Sequence, residues 1–96
     1  MQTLNNGEII GVPCAMQSGP FAHERFICVD AEDGPLMGFA DQVNLQSSDG
    51  KRGFIKAVVL DASSDAVKVR LFGSFFRTAV GLAYVRRTGL AKIVSR

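Results

Sequence analysis

Few side chains in this sequence could carry out catalysis or hold a metal ion. His23 is the single histidine, and Cys14 and Cys28 are the two cysteines. A tetrahedral zinc site needs four nitrogen or sulfur ligands, and a catalytic nucleophile needs a neighbouring base. The sequence offers neither set, and it contains no glycine-rich phosphate-binding motif. We therefore expect a protein that is not an enzyme and that has no metal site and no cofactor.

The two cysteines allow two interpretations. They stand at equal distances from Phe21, close to the turn indicated by Ser18-Gly19-Pro20, so a cross-strand disulfide would fit their spacing. We favour two buried, reduced thiols, because cytosolic thiols stay reduced and free cysteines usually behave as small apolar residues.

The segment from Gly53 to Phe72 gives the clearest indication of a binding surface. Two apolar runs, 53–60 and 66–72, flank the polar turn cluster 61–65, a pattern typical of a β-hairpin. A turn centred on Ser63 would pair three apolar residues of the first run with three of the second: Ile55 with Leu71, Ala57 with Val69 and Val59 with Val67. These residues would share one face, because side chains alternate along a strand.

The opposite face of the predicted hairpin combines cations with aromatic rings. Its candidate binding residues are Phe54, Lys56, Lys68, Arg70 and Phe72, and Arg77, Arg86 and Arg87 would extend the basic surface. Rings that stack on bases and cations that hold phosphates would suit single-stranded nucleic acid. Lys56 would stand opposite Arg70, so we expect a counter-charge nearby. In the alternative interpretation a later segment covers Phe54 and Phe72, and the sheet is buried on both faces.

The turn of this hairpin resembles a motif of a known family. Asp61-Ala62-Ser63-Ser64-Asp65-Ala66 is similar to the D-x-S-x-x-G turn of PilZ domains, with Ala66 in place of the glycine. The resemblance implies a β-barrel that binds a cyclic dinucleotide. The companion R-x-x-x-R arm has Lys51-Arg52 as its nearest counterpart, and ordinary turn chemistry explains the Asp and Ser residues equally well. We therefore do not assign the chain to this family.

Charge is distributed unevenly along the chain. Residues 1–50 carry seven acidic residues and one basic residue, whereas residues 51–96 carry ten basic and two acidic residues. Such asymmetry indicates an interaction. The two halves could neutralise each other within one chain, or the acidic half of one copy could bind the basic half of another.

Strand signals dominate the rest of the sequence. We predict strands at 8–16, 24–30, 36–40 and 90–94 in addition to the hairpin, with Asp33-Gly34 as a hairpin turn. Pro13 should place the first strand at a sheet edge or at a bulge, since proline cannot donate to a ladder. Residues 75–85 fit a strand or a short helix, and two nearby glycines favour the strand. Phe75 and Phe76 are both expected in the core, with an exposed partner anchor as the alternative.

These elements predict an all-β fold formed by one domain, residues 1–96. A small barrel or sandwich of about six strands fits the length, with possible half-repeats at 7–46 and 52–94. No apolar run approaches the roughly 20 residues needed to cross a membrane, and Met1 to Glu8 lacks the pattern of a secretory signal. We expect a cytoplasmic, non-catalytic binding or assembly module that acts through a protein partner or self-association. A binder of single-stranded nucleic acid or a cyclic dinucleotide is the alternative.

Overall fold

Nine strands and two short 3-10 helices make up the fold of the computed structural model, which describes residues 3–19, 21–47, 49–76 and 80–92. The strands are β1 (Ile9–Ser18), β2 (Glu24–Ala31), β3 (Gly34–Asp41), β4 (Leu45–Ser47), β5 (Arg52–Asp61), β6 (Ala66–Leu71), β7 (Ser74–Phe75), β8 (Leu82–Arg86) and β9 (Ala91–Lys92). The 3-10 helices span Gln42–Asn44 and Arg87–Gly89. The predicted all-β class is confirmed. Across the described ranges, neither helix has the length and apolar character to cross a membrane.

The strands form one curled, half-barrel sheet in the order β7-β3-β2-β1-β5-β6-β8, with β4 beside β5 and β9 beside β1. All neighbours are antiparallel. The sheet consists of two three-strand meanders, β1-β2-β3 and β5-β6-β8. They are joined at the centre of the sheet, where β1 pairs with β5. This order resembles the two predicted halves, although the repeat in sequence stays a prediction.

The core lies on the concave side of the curled sheet. Alternate residues of β1, β2, β5 and β6 supply its largest fully buried side chains: Ile10, Val12, Ile27, Val29, Ile55, Val59, Val67 and Val69. The curl brings the β2–β3 turn against β8, where the backbone N–H of Glu32 donates to the carbonyl of Tyr84 at 2.8 Å. The period-2 pattern of the sequence therefore reports correctly which face of each strand is buried.

The register of the β5–β6 hairpin differs from the predicted one by two residues. Ala57 pairs with Leu71 and Val59 with Val69, and a bulge at Leu60 follows. The turn does not close symmetrically on Ser63, and the guanidinium of Arg87 donates to the carbonyls of Ala62 and Ser64 within it. A shift of two residues leaves every side chain on its predicted face.

The prediction that Pro13 marks an edge strand is wrong, since β1 has partners along both sides. The backbone N–H of Met16 points toward β5, where it donates to the carbonyl of Lys51 at 2.7 Å. Backbone nitrogens alternate in direction, so that of Pro13 points to the opposite side. On that side β9 pairs with 10–11 and β2 with 14–18, so Pro13 lies in the gap between them. The missing N–H therefore interrupts no ladder.

The C-terminal segment contains strand, as expected, at β7, β8 and β9. Within 75–85, residues 77–79 lie outside the described ranges, and so do residues 93–96 beyond β9. Phe75 is buried, but Phe76 is 67% exposed, so the prediction that both lie in the core is wrong for Phe76. Consecutive side chains of an extended segment point to opposite faces, so the ring of Phe76 points away from the core that Phe75 enters.

Cys14 and Cys28 are both free thiols. In the β1–β2 register Cys14 pairs with Val29 and Ala15 pairs with Cys28, so the two sulfur atoms lie on opposite faces of the sheet. This geometry excludes the disulfide. Cys14 is buried, as we expected, whereas Cys28 is half-buried on the outer face.

Candidate binding surfaces

The hairpin cations predicted to bind a ligand share the outer face of β5 and β6. Lys56 and Lys68 are half-buried there, and Arg70 is exposed. Val58, and not Lys56, stands directly opposite Arg70, so the two cations are diagonal neighbours. The observed register therefore does not place the two like charges directly opposite each other, as the sequence predicted. The expected counter-charge is Asp61, which pairs with Lys68 after the bulge.

Strand β8 adds exposed side chains beside these cations. Tyr84 pairs with Lys68 and is 51% exposed, and Leu82 pairs with Arg70 and is 37% exposed. We call the surface formed by Lys56, Lys68, Arg70, Phe72, Leu82 and Tyr84 the basic face. Neither Leu82 nor Tyr84 was among the predicted site residues, because the sequence did not fix which strand pairs with β6.

The predicted aromatic residues of the hairpin occupy different places. Phe72 is half-buried at the end of β6, where its backbone N–H donates to the carbonyl of Lys56 at 2.9 Å. Phe54 is also half-buried, but it lies between Pro13 of β1 and Gln46 of β4. Phe54 lies four residues along β5 from Val58, which stands opposite Arg70, and seven residues from Asp61, which stands opposite Lys68.

Of the predicted arginine extension, the structure describes Arg86, which lies on the outer face of β8 next to Tyr84, and Arg87, which lies in the second 3-10 helix. Arg86 is exposed and pairs with Glu32, with 3.7 Å between Nε and Oε2. Arg87 is half-buried and holds the β5–β6 turn through the carbonyls of Ala62 and Ser64. Arg77 lies outside the described residues. Both described arginines thus have polar partners within the same chain.

Some acidic residues of the first half of the sequence form contacts within the fold. Glu8 forms an ion pair with Lys92 at 3.1 Å, so this contact and the Arg86–Glu32 pair both join the acidic half to the basic half. Hydrogen bonds from the backbone of Lys51 and Arg52 hold the pKa of Asp49 below its ordinary value. These contacts support the interpretation that part of the charge is balanced within one chain.

The segment that resembles the PilZ turn forms the β5–β6 turn itself. Hydrogen bonds from the side chain and backbone of Ser63, together with the charge of Lys68, hold the pKa of Asp61 below its ordinary value. The hydroxyl of Ser64 donates to the carbonyl of Ala66 at 3.0 Å. Lys51-Arg52 lies at the other end of β5, about 30 Å away along an extended strand of this length. The structure does not bring the two parts of that motif together.

A second candidate surface, outside the predicted hairpin, lies on the outer face of β2 and β3 and includes Phe76, which follows β7. Phe26 pairs directly with Phe39, with ring centroids 5.4 Å apart and an interplanar angle of 64°. The ring of Phe76 lies 5.8 Å from that of Phe39 and 6.4 Å from that of Phe26. Met37 is on the same face and is 44% exposed. We call Phe26, Met37, Phe39 and Phe76 the phenylalanine patch.

Gly38 explains how β7 comes close enough to complete this patch. A Cβ atom at position 38 would lie 2.1 Å from the carbonyl oxygen of Ser74, so a larger residue would push β7 away. With β7 in place, the backbone N–H of Phe76 donates to the carbonyl of Met37 at 3.0 Å. A glycine on the buried face of β3 thus positions an aromatic ring on the exposed face.

Carboxylates border the phenylalanine patch at both ends of the β2–β3 pair. Along the outer face, the pairs run Glu24–Asp41, Phe26–Phe39, Cys28–Met37 and Asp30–Pro35. The apolar centre therefore lies between Glu24 and Asp41 at one end and Asp30 at the other. The observed two-residue turn is Glu32-Asp33, one residue before the predicted Asp33-Gly34, and it places Phe26 opposite Phe39.

No protein-family model matches the chain, and neither a curated protein nor a solved structure is significantly similar to it. Within the described ranges, no cluster of three or more His, Cys, Asp or Glu side chains is arranged to hold a metal ion. The basic face and the phenylalanine patch are therefore the two candidate sites.

Proposed function

We propose that this protein is a non-catalytic binding module that contacts a protein partner through the phenylalanine patch. The observation that carries the proposal is the mutual packing of three phenylalanine rings on an outer sheet face, with Phe76 67% exposed. Clustered apolar side chains at the surface of a small domain mark interaction sites, and aromatic anchors dominate the energetics of protein interfaces.

The border of the patch defines the chemistry of the partner. Glu24, Asp41 and Asp30 would repel phosphate groups, so the patch does not suit a nucleic acid, although its rings could stack on bases. A protein surface with an apolar centre and flanking Lys or Arg side chains fits both the rings and the carboxylates.

Site-specific crosslinking tests this proposal. The photoreactive residue p-benzoylphenylalanine replaces Phe76 in one variant and Val43 in a control, in the cells that produce the protein. Val43 is 72% exposed but lies on the 3-10 helix outside the patch, so it reports nonspecific contacts. We expect a discrete crosslinked product from position 76 and none from position 43. Equal yields from both positions, or no product from position 76, would contradict the proposal.

A second candidate function is binding of single-stranded nucleic acid on the basic face. The observation that favours it is the direct pairing of Lys68 with the exposed Tyr84, next to the exposed Arg70. A ring and cations on one face could stack a base and hold phosphates. Fluorescence anisotropy with labelled single-stranded oligonucleotides at low salt tests this candidate, with Tyr84→Ala expected to weaken binding more than Tyr84→Phe. Absence of binding at low salt would remove it.

A further inference from the structure

The partner chemistry required by the phenylalanine patch is found on the chain itself. The basic face presents the cations Lys56, Lys68 and Arg70. Beside them on β8 lie two exposed side chains with large apolar surfaces: Tyr84 is 51% exposed and Leu82 37%. This is an apolar surface flanked by cations, which complements an apolar surface flanked by carboxylates.

We infer that the partner is a second copy of this chain, with the phenylalanine patch of one copy bound to the basic face of the next. This inference rests on the proposed function and deepens it by naming the partner. The two surfaces lie on separate strands, the phenylalanine patch on β2, β3 and β7 and the basic face on β5, β6 and β8. They adjoin where the β2–β3 turn contacts Tyr84. Because the two surfaces use different side chains, one copy can offer the patch to one neighbour and the basic face to another.

Charge favours this arrangement over a two-fold contact between identical patches. A patch-to-patch dimer would bring Glu24, Asp30 and Asp41 of both copies together, and like charges across an interface are unfavourable. A patch-to-basic-face contact places these carboxylates against Lys56, Lys68 and Arg70. Asp61 reduces the positive charge at the Lys68 end, so the contact should depend most on Lys56 and Arg70.

A head-to-tail contact of this kind is heterologous. Heterologous contacts produce closed rings when the rotation between copies closes, and open chains when it does not. Association should therefore continue beyond the dimer as concentration rises, and it should weaken with salt because the flanking charges are exposed.

Charge reversal provides the test. One variant carries Glu24→Lys and Asp30→Lys at the border of the patch, and Asp41 is kept because its carboxylate accepts a hydrogen bond from the backbone of Val43. The other variant carries Lys56→Glu and Arg70→Glu on the basic face. We expect each variant alone to associate at least about tenfold more weakly than the wild type in sedimentation velocity at low salt. An equimolar mixture should recover association, because every patch then meets a basic face of opposite charge.

The outcomes distinguish this inference from the proposed function. Recovery in the mixture supports the head-to-tail contact and also shows that both variants are folded. Wild-type protein that stays monomeric at low salt would overturn the inference, and so would undiminished association of Lys56→Glu/Arg70→Glu. In either case a crosslink from position 76 to a different protein would leave the proposed function standing, whereas the absence of any crosslink would remove both.

Discussion

Phe75 and Phe76 are adjacent in the chain, but their rings lie on opposite sides of the sheet, with Phe75 8% exposed and Phe76 67% exposed. The first side chain belongs to the core, and the second completes the phenylalanine patch. Substitution of Phe75 should therefore affect mainly the stability of the fold, and substitution of Phe76 mainly the binding of a partner.

We predict that Phe75→Ala lowers the free energy of unfolding by about 3 kcal/mol, because a buried ring leaves a cavity. Phe76→Ala should change it by less than about 1 kcal/mol, because most of this ring already contacts water. Urea unfolding followed by circular dichroism measures both values, and sedimentation of the folded Phe76→Ala variant measures the lost association. A larger destabilisation by Phe76→Ala than by Phe75→Ala would show that the patch is structural.

Gly38→Ala should disrupt the phenylalanine patch from the opposite side of β3. The added methyl group would collide with the backbone of Ser74 and Phe75, so β7 should separate from β3. We expect faster hydrogen exchange at the backbone N–H of Phe76, which donates to the carbonyl of Met37. Met37→Ala is the matched control, since it removes a patch side chain but keeps that backbone hydrogen bond. Unchanged exchange in Gly38→Ala would refute this role of the glycine.

The neighbouring arginines Arg86 and Arg87 should contribute differently to stability. Arg87→Ala would leave the carbonyls of Ala62 and Ser64 without their donor, and we predict a loss of about 1–3 kcal/mol. Arg86→Ala removes an exposed ion pair with Glu32 and should cost no more than about 0.5 kcal/mol. Thermal or urea unfolding of the two variants checks this order. Equal losses would mean that the hold of Arg87 on the turn is unimportant.

Cys14 should make the stability of the fold depend on pH under alkaline conditions. Burial, with a smaller contribution from nearby Cys28, raises the pKa of the Cys14 thiol to about 11, against 9.0 for an unperturbed thiol. The unfolded chain therefore loses this proton at lower pH than the folded protein. The stabilising effect is complete below pH 9 and is lost as the pH rises toward 11. Unfolding measured from pH 8 upward should show this fall, and Cys14→Ala should reduce it. An identical pH dependence in the variant would contradict the assignment.

Much of the fold follows from residue patterns that act locally. Alternation identifies Ile55, Val59 and Val69 as buried, because one face of each strand must leave water. The sequence also predicts the β2–β3 hairpin, but with its turn at Asp33-Gly34 in place of the observed Glu32-Asp33, so Phe26 lies opposite Phe39 and not opposite Asp41. Local patterns thus predict which faces are buried and where hairpins occur, but not the register of either hairpin.

The remaining features depend on contacts between distant segments. The sequence indicates neither the bulge at Leu60 nor the hydrogen bonds from Arg87 to the carbonyls of Ala62 and Ser64, and the observed β5–β6 register differs by two residues from the symmetric prediction. It also does not indicate that β7 lies against Gly38, which determines that Phe76 is exposed. The patch was missed for this reason, and the basic face was predicted without Leu82 and Tyr84.

The most direct measurement of the central claim uses the methionine methyl groups as probes. Met37 lies in the phenylalanine patch, and Met16 is 6% exposed in the core, so the protein contains its own control. With ¹³C-labelled methionine, we predict that the Met37 methyl resonance shifts as concentration rises from about 10 µM to about 1 mM at low salt, while that of Met16 stays in place. Added salt and Phe76→Ala should each abolish the shift. A Met37 resonance that does not move across this range would contradict the claim that a second copy occupies the patch.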